Sequence, residues 1–354
     1  MQDAAVRPDT AATPFPAALL RGSVPGFNAP LLVQADAQTA GMAREDLLAR
    51  LTEGRTWLDS VLLDRGALLL RGFGALRTAD DVEAVARTLS PRIMDYRGGT
   101  TVRSQVTAAV VTASDAPRFF PIGMHQELSY QSEVPDRLLF FCETPPRRGG
   151  QTPLADMRNV YRRIPEDVRT RFERRGCRLQ RMLAPRRRLI GLRTWPEVFE
   201  TSDPRTVERL AAEHGWEVEW LPGQVLRLLN EVRPASRTHP VSGERVWFNQ
   251  AHLMNPSTVA ADLRAEGRPV AASVAAFARR LQRSPARYLI TYGDGNPIPE
   301  ADLDAVRDAI RAEVILFDWQ RGDLLIVDNY LMAHGRRSYR GRRRILASLL
   351  GAAS

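Results

Sequence analysis

Apolar residues recur at helical spacing over residues 43–65, where Leu47, Leu48, Leu51, Leu58, Val61 and Leu62 form a stripe. The spacing predicts a helix, and Gly66 is placed to end it. The apolar run at 67–71, closed by Gly72, reads as a short buried strand. Thr78 is positioned to cap a second helix that carries Val82, Val85 and Leu89 on one face. Residues 102–113 are rich in Val and Thr and read as strand. A loop with Pro117 and Pro121 leads to His125, and residues 138–142 form a strongly apolar strand. Gly149-Gly150 marks a turn before a strand at 152–155. Helices are expected near 157–163, 165–175, 203–214, 270–283 and 300–312. Ser242-Gly243 is a turn signal between strand-like stretches. The C-terminal third adds strands at 315–319, 324–328 and 345–349, with a turn at Gly322-Asp323.

Antiparallel strand pairs mixed with helices, without strict alternation, argue against a doubly wound sheet. They predict an α+β, mainly β architecture: a two-sheet sandwich or jelly roll (double-stranded β-helix) with helical insertions. No repeat and no long linker is visible, so the expected organisation is one domain over 29–354 behind a flexible leader at 1–28 rich in Ala, Pro and Thr. The 354 residues can bury a large core, and 44% of them are hydrophobic. No apolar run approaches the length of a membrane span. The N-terminus does not read as a secretory signal. Cys142 and Cys177 are the only cysteines, so a disulfide framework is not expected and a reducing cytoplasm fits.

The formal charge of +9 rests entirely on arginine: all 50 basic residues are Arg and none is Lys. A compositional replacement of lysine explains this better than an acidic partner does. The basic residues are scattered apart from 186–188 and 336–344, and without a recognition motif no nucleic-acid partner is expected. The missing lysine excludes Schiff-base enzymes, pyridoxal-phosphate enzymes among them, and phosphate loops that need a lysine.

The chemistry concentrates around two of five histidines. His125-Gln126-Glu127 places an imidazole and a carboxylate two apart, on one side of an extended chain. His334 follows the apolar strand that ends at Asp328-Asn329. Two histidines and one carboxylate on one face of a metal leave open positions, the ligand set of non-haem iron(II) oxygenases. By themselves these spacings also suit a structural histidine and a chance pair. Arg342, Arg343 and Arg344 then run into an apolar strand. An arginine buried there demands an anion, either an internal Asp or Glu or the carboxylate of a co-substrate.

Several linked stretches resemble a known family. They are 66–73 (Gly-Ala-Leu-Leu-Leu-Arg-Gly-Phe), 125–130 (His-Gln-Glu-Leu-Ser-Tyr) and 149–156 (Gly-Gly-Gln-Thr-Pro-Leu-Ala-Asp). His239-Pro240 through Trp247-Phe248-Asn249-Gln250, Gly322-Asp323 through His334-Gly335, and 343–346 (Arg-Arg-Ile-Leu) complete the series. In this order, over about residues 30–350, they resemble the taurine dioxygenase / clavaminate synthase (TauD/TfdA-like) superfamily of 2-oxoglutarate enzymes. The likeness is nearest to hydroxylases of nonribosomal-peptide and amino-acid natural-product pathways.

That resemblance implies an iron(II)- and 2-oxoglutarate-dependent dioxygenase that uses O2, releases succinate and carbon dioxide, and hydroxylates an unactivated carbon. Desaturation and cyclisation share the same cofactors. It implies His125, Glu127 and His334 as iron ligands, and Arg344 with Thr152 at the distal carboxylate of 2-oxoglutarate. Arg343 is the competing clamp, because strand register decides which arginine faces inward. Glu127 departs from the commoner Asp but is similar to the clavaminate synthase branch; related halogenases have a small residue there. Ser348 stands four after Arg344, where the taurine branch has a second arginine, so a sulfonate held in that manner is not expected. Asn249 and Gln250 are candidate substrate contacts, with a hydrogen-bonded strand end as the alternative. His252 reads as a surface or supporting residue, His214 as a helix end and His239 as part of a turn. The implied substrate is amino-acid-like, free or borne by an acidic carrier protein that the 186–188 arginines would face, and a homo-oligomer is compatible. Two other classes, a non-catalytic basic binding protein on this scaffold and a zinc hydrolase, would share the metal residues.

Overall fold

The structure, a computed structural model, describes residues 14–15, 20–21, 29–96, 103–186, 194–281 and 288–351. Its largest sheet has seven strands in the order Leu20–Arg21, Leu31–Gln34, Ala67–Arg71, Leu324–Asp328, Arg137–Thr144, Arg344–Leu350 and Val111–Thr112. All neighbours are antiparallel except the pair Leu31–Gln34 and Ala67–Arg71. The central strands are apolar at nearly every position because both faces are buried. Leu139, Phe141, Leu324, Ile326, Leu346, Leu68 and Leu70 face the helices Arg44–Glu53, Arg55–Arg65 and Ala79–Leu89. Leu138, Phe140, Cys142, Leu325, Val327, Ile345, Ala347 and Leu349 face the second core. Burying each such side chain contributes roughly 1.5–3 kcal/mol.

The predicted helix at 43–65 is two helices broken at Gly54, where a Cβ would meet the ring of Pro14 at 2.2 Å. Within the expected leader, Phe15 is fully buried and packs edge-on against Trp57 and Phe73, while most of that stretch lies outside the described residues. Gly66 ends the second helix at φ 71°, and Thr78 caps the next in a capping box with Asp81. The 102–113 strand is not formed as expected. Thr112 N donates to Ser104 O and Val106 N to Val110 O, so the segment doubles back as a tight irregular hairpin that keeps only Val111–Thr112 as strand. Residues 315–319 form a single bridge, Ile315 to Leu154, rather than a strand.

A three-stranded sheet, in the order Ile122–His125, Met332–Arg336, Leu154–Asp156, contributes to the second core. Sequence patterning passed over an antiparallel four-stranded sheet, Glu217–Leu221, Val225–Leu229, Cys177–Leu183 and Tyr288–Tyr292. Its strand Cys177–Leu183 alternates buried Cys177, Leu179 and Arg181 with half-buried Arg178 and Gln180, and Leu179 and Ile290 join the second core. Cys142 and Cys177 are free and buried, and burial pushes both thiols up to about 12.

Candidate active site

The three-stranded sheet aligns the chemistry. His334 and His125 are directly opposite in register, so both rings project from one face with centroids 4.4 Å apart. His125 Nδ1 lies 2.9 Å from the carbonyl of Gly123, which only accepts; Nδ1 therefore donates there and Nε2 is the ring nitrogen left for a metal. Burial, then the neighbouring His125 and Arg103, holds the His334 imidazole well below its usual range. Glu127 lies in a turn just past the strand, not on an extended chain as the two-residue spacing suggested. Asn329 brings it in: its side-chain oxygen accepts from Glu127 N at 2.7 Å, and its amide donates to Glu127 O at 3.1 Å and Pro135 O at 2.8 Å. One donor atom from each of His125, Glu127 and His334 lies within 4.8 Å of the others. His334 Nε2 is 3.9 Å from Glu127 Oε2.

The arginine assignment changes. Ile345, Ala347 and Leu349 face the second core, and the strand period of two puts Arg343 on that side and Arg344 on the other. Arg344 is exposed and pairs with Glu143 at 2.7 Å. Arg343 lines the same cavity as His125, His334, Thr152 and Phe140. Its Nε donates to Gly150 O at 2.9 Å, and its Nη2 approaches Thr152 Oγ1 at 3.4 Å. Burial, then Arg336, lowers its pKa to about 10. Gly150, at φ 71°, permits the approach: a Cβ there would stand 2.9 Å from Tyr339 Cβ and 3.1 Å from Arg343 Cδ. Thr152 Oγ1 also accepts from Trp319 Nε1 at 3.1 Å, which leaves the hydroxyl proton free to donate. Four residues after Arg343 on the same face is Ala347, while Ser348 points away to Ala109 O; no second arginine stands at either position.

Asn249 and Gln250 turn their side chains to the main chain, the hydrogen-bonded alternative. The Asn249 amide is spent on Ala235 O and Ala251 N, and Gln250 Nε2 donates to Gln126 O at 2.8 Å. Both are buried, as polar strand-end residues must be when main-chain groups need partners. His252 is buried too. Its Nε2 bonds Met124 O at 2.8 Å, and burial lowers its pKa to about 4. Gln250 and His252 thus pin the main chain on both sides of His125. His239 accepts from Val241 and Ser242 N and meets Asp328 at 3.1 Å, and His214 caps a helix against Trp216. Of the 186–188 arginines, Arg186 is exposed and the other two lie outside the described residues. Sequence reasoning missed Arg103, which pairs with Glu127, and Arg336, which ties down the carbonyls of Ala116, Pro117 and Phe120. It quoted Asn329 without a task. The one signal was an arginine two residues beyond His334, on the same strand face.

Residues 28–350 match the profile of the taurine catabolism dioxygenase TauD, TfdA family. The chain belongs to that family. It is 31% identical over 293 residues to the dapdiamide synthesis protein DdaC of Enterobacter agglomerans, covering 83% of this chain and 84% of the relative. It is 33% identical over 307 residues to a clavaminate synthase-like protein of Arabidopsis thaliana, with the same coverage. Among solved structures it is similar in fold to AAD-2 in complex with Mn(II) and N-oxalylglycine: TM-score 0.51, 14% identity, covering 95% of this chain and 97% of that one. The protein is a 2-oxoglutarate-dependent dioxygenase whose cofactors are iron(II), 2-oxoglutarate and O2. The zinc-hydrolase and non-catalytic readings fall away. The TauD/TfdA chemistry fits the residues present: two neutral-capable imidazoles and a carboxylate suit ferrous iron, and Arg343 with the Thr152 proton suits a carboxylate. No helix among the described residues is long and apolar enough to cross a membrane.

Proposed function

We propose that His125, Glu127 and His334 bind the iron, that Arg343 and Thr152 hold the distal carboxylate of 2-oxoglutarate, and that the enzyme hydroxylates an unactivated carbon of an amino acid or amino-acid-derived natural-product intermediate. The observation that carries this reading is the shared wall: both histidines, Thr152 and Arg343 line one cavity, and among the described residues Arg343 hydrogen-bonds only a carbonyl and a hydroxyl. Bound iron with 2-oxoglutarate supplies the oxidising power, the co-substrate leaving as succinate and carbon dioxide.

The chain's own residues then bind and orient. The Arg343 fork and the Thr152 hydroxyl fix the far end of the co-substrate. Asn329, Gln250 and His252 hold the main chain that carries His125 and Glu127. Phe140 and Ile345 keep the cavity wall apolar and limit water. A glutamate at 127 favours hydroxylation over halogenation, and the missing second arginine disfavours a sulfonate. Likeness to a dapdiamide synthesis protein supports a biosynthetic substrate, free or on an acidic carrier, in the cytoplasm. The sheets are read as the family's double-stranded β-helix within one domain.

Adding iron(II) and 2-oxoglutarate without oxygen should give a visible charge-transfer band. Its absence would sink the ligand assignment. A succinate-release screen over free and carrier-bound amino acids, with product masses, tests the rest: gain of one oxygen supports hydroxylation, and loss of two hydrogens replaces it with desaturation or cyclisation.

A further inference from the structure

Arg103 is another arginine in the wall of the cavity that holds His125 and His334. It lies in the irregular hairpin before the His125 strand, its side chain is 6% exposed, and it shares the cavity wall with His125, His334, Thr152 and Arg343. Nη2 donates to Oε2 of Glu127. Nε and Nη1 have no hydrogen-bond partner among the described residues. Those two nitrogens carry three of a guanidinium's five N–H donors. The ring of Tyr96 lies 3.9 Å from the Arg103 carbon and fixes the plane of the group.

A guanidinium buried this deeply needs an anion. Glu127 meets that need only while its charge belongs to Arg103 alone. A dication held by His125, Glu127 and His334 draws on the same carboxylate and repels Arg103 at short range. The unspent donors then call for a second anion beside the metal. Tyr96 continues directly from Arg92–Asp95 in sequence. Residues 92–95, with Leu128 and Tyr130, wall a separate cavity of about 430 Å³ whose lining does not include Arg103. In that wall Arg92 pairs with Glu133 and Arg233 with Glu231, so their charges are already matched.

We propose that Arg103 binds a carboxylate of the substrate, next to the reacting carbon, with Tyr96 holding the guanidinium flat. The proposal rests on the iron and 2-oxoglutarate reading above and narrows it. The substrate carries a free carboxylate, and a carrier-tethered substrate must carry one that the tether does not use.

The test uses the full chain loaded anaerobically with iron(II) and 2-oxoglutarate, acetate as the probe, and acetamide as its neutral isostere. In wild type, acetate should shift the charge-transfer band saturably and acetamide should not. Arg103→Gln should keep its 2-oxoglutarate affinity within about threefold and lose about tenfold or more in acetate affinity, the worth of one charge-assisted hydrogen bond. Arg103→Lys, which keeps the charge but not the fork, should fall between them and carries the test if the Gln variant does not fold. Three results overturn the proposal: equal acetate responses in wild type and both variants, no acetate response in wild type, or loss of 2-oxoglutarate binding in Arg103→Gln, which would assign Arg103 to the co-substrate. A wild-type protein that forms no band would overturn the metal-ligand reading itself, and this proposal with it.

Discussion

Arg343 and Arg103 both line the cavity that holds His125 and His334, and they are held in different ways. Arg343 stands one residue ahead of the strand Arg344–Leu350 and bonds a main-chain carbonyl and a threonine hydroxyl, neither of which changes charge. Arg103 stands in an irregular hairpin and is tied to a carboxylate that a metal would claim. The first is placed by sheet register and stays committed to one ligand. The second is placed by an ion pair whose strength depends on what the triad holds. One side of the cavity is therefore built to be constant, and the other to respond.

The largest expected effect tests whether the triad organises both sides. His334→Ala should weaken iron binding by more than about 100-fold, beyond the loss typical of supporting residues, in an anaerobic titration. Retained affinity would place the metal elsewhere. Next, Arg343→Gln should raise the dissociation constant of 2-oxoglutarate by about 100-fold, since each charge-assisted bond contributes about 1.5–3 kcal/mol. Arg344→Gln should change it less than about twofold, because an exposed pair contributes about 0–1 kcal/mol. Equal effects would return the clamp to Arg344 and dissolve the comparison. Asn329→Ala should lower iron affinity by about 10- to 100-fold while leaving the 2-oxoglutarate clamp in place, because it releases only the turn that carries Glu127. A smaller loss falls on the constant side: Thr152→Val should weaken 2-oxoglutarate about fivefold, the worth of one neutral hydrogen bond of about 1 kcal/mol.

Much of the constant side was legible in the sequence. The apolar runs at 67–71, 138–142 and 324–328 are strands because both faces are buried. Gly149 and Gly150 both take positive φ, 69° and 71°, but Gly149 pairs with Tyr339 in a two-residue strand where a turn was expected. His125, Glu127 and His334 converge. The responsive side was not legible. The Val- and Thr-rich stretch at 102–113 has strand composition, but its residues pair with one another around a tight bend, so Arg103 points into the cavity from a place no periodicity marks. Asn249 and Gln250 looked available because sequence does not reveal which main-chain groups will need partners.

By itself the sequence determined the ligand types, the strand-forming runs and the family, because residue chemistry and local patterning are written one position at a time. Only the tertiary structure decided that Arg343 rather than Arg344 faces the cavity, that His125 and His334 are cross-strand partners, and that Asn329 carries Glu127 into reach. The first two depend on strand register, and the third on a contact between two turns, across segments some 200 residues apart in the chain. A shift of one residue in a strand turns every side chain to the other face, and no local property of the sequence fixes that shift.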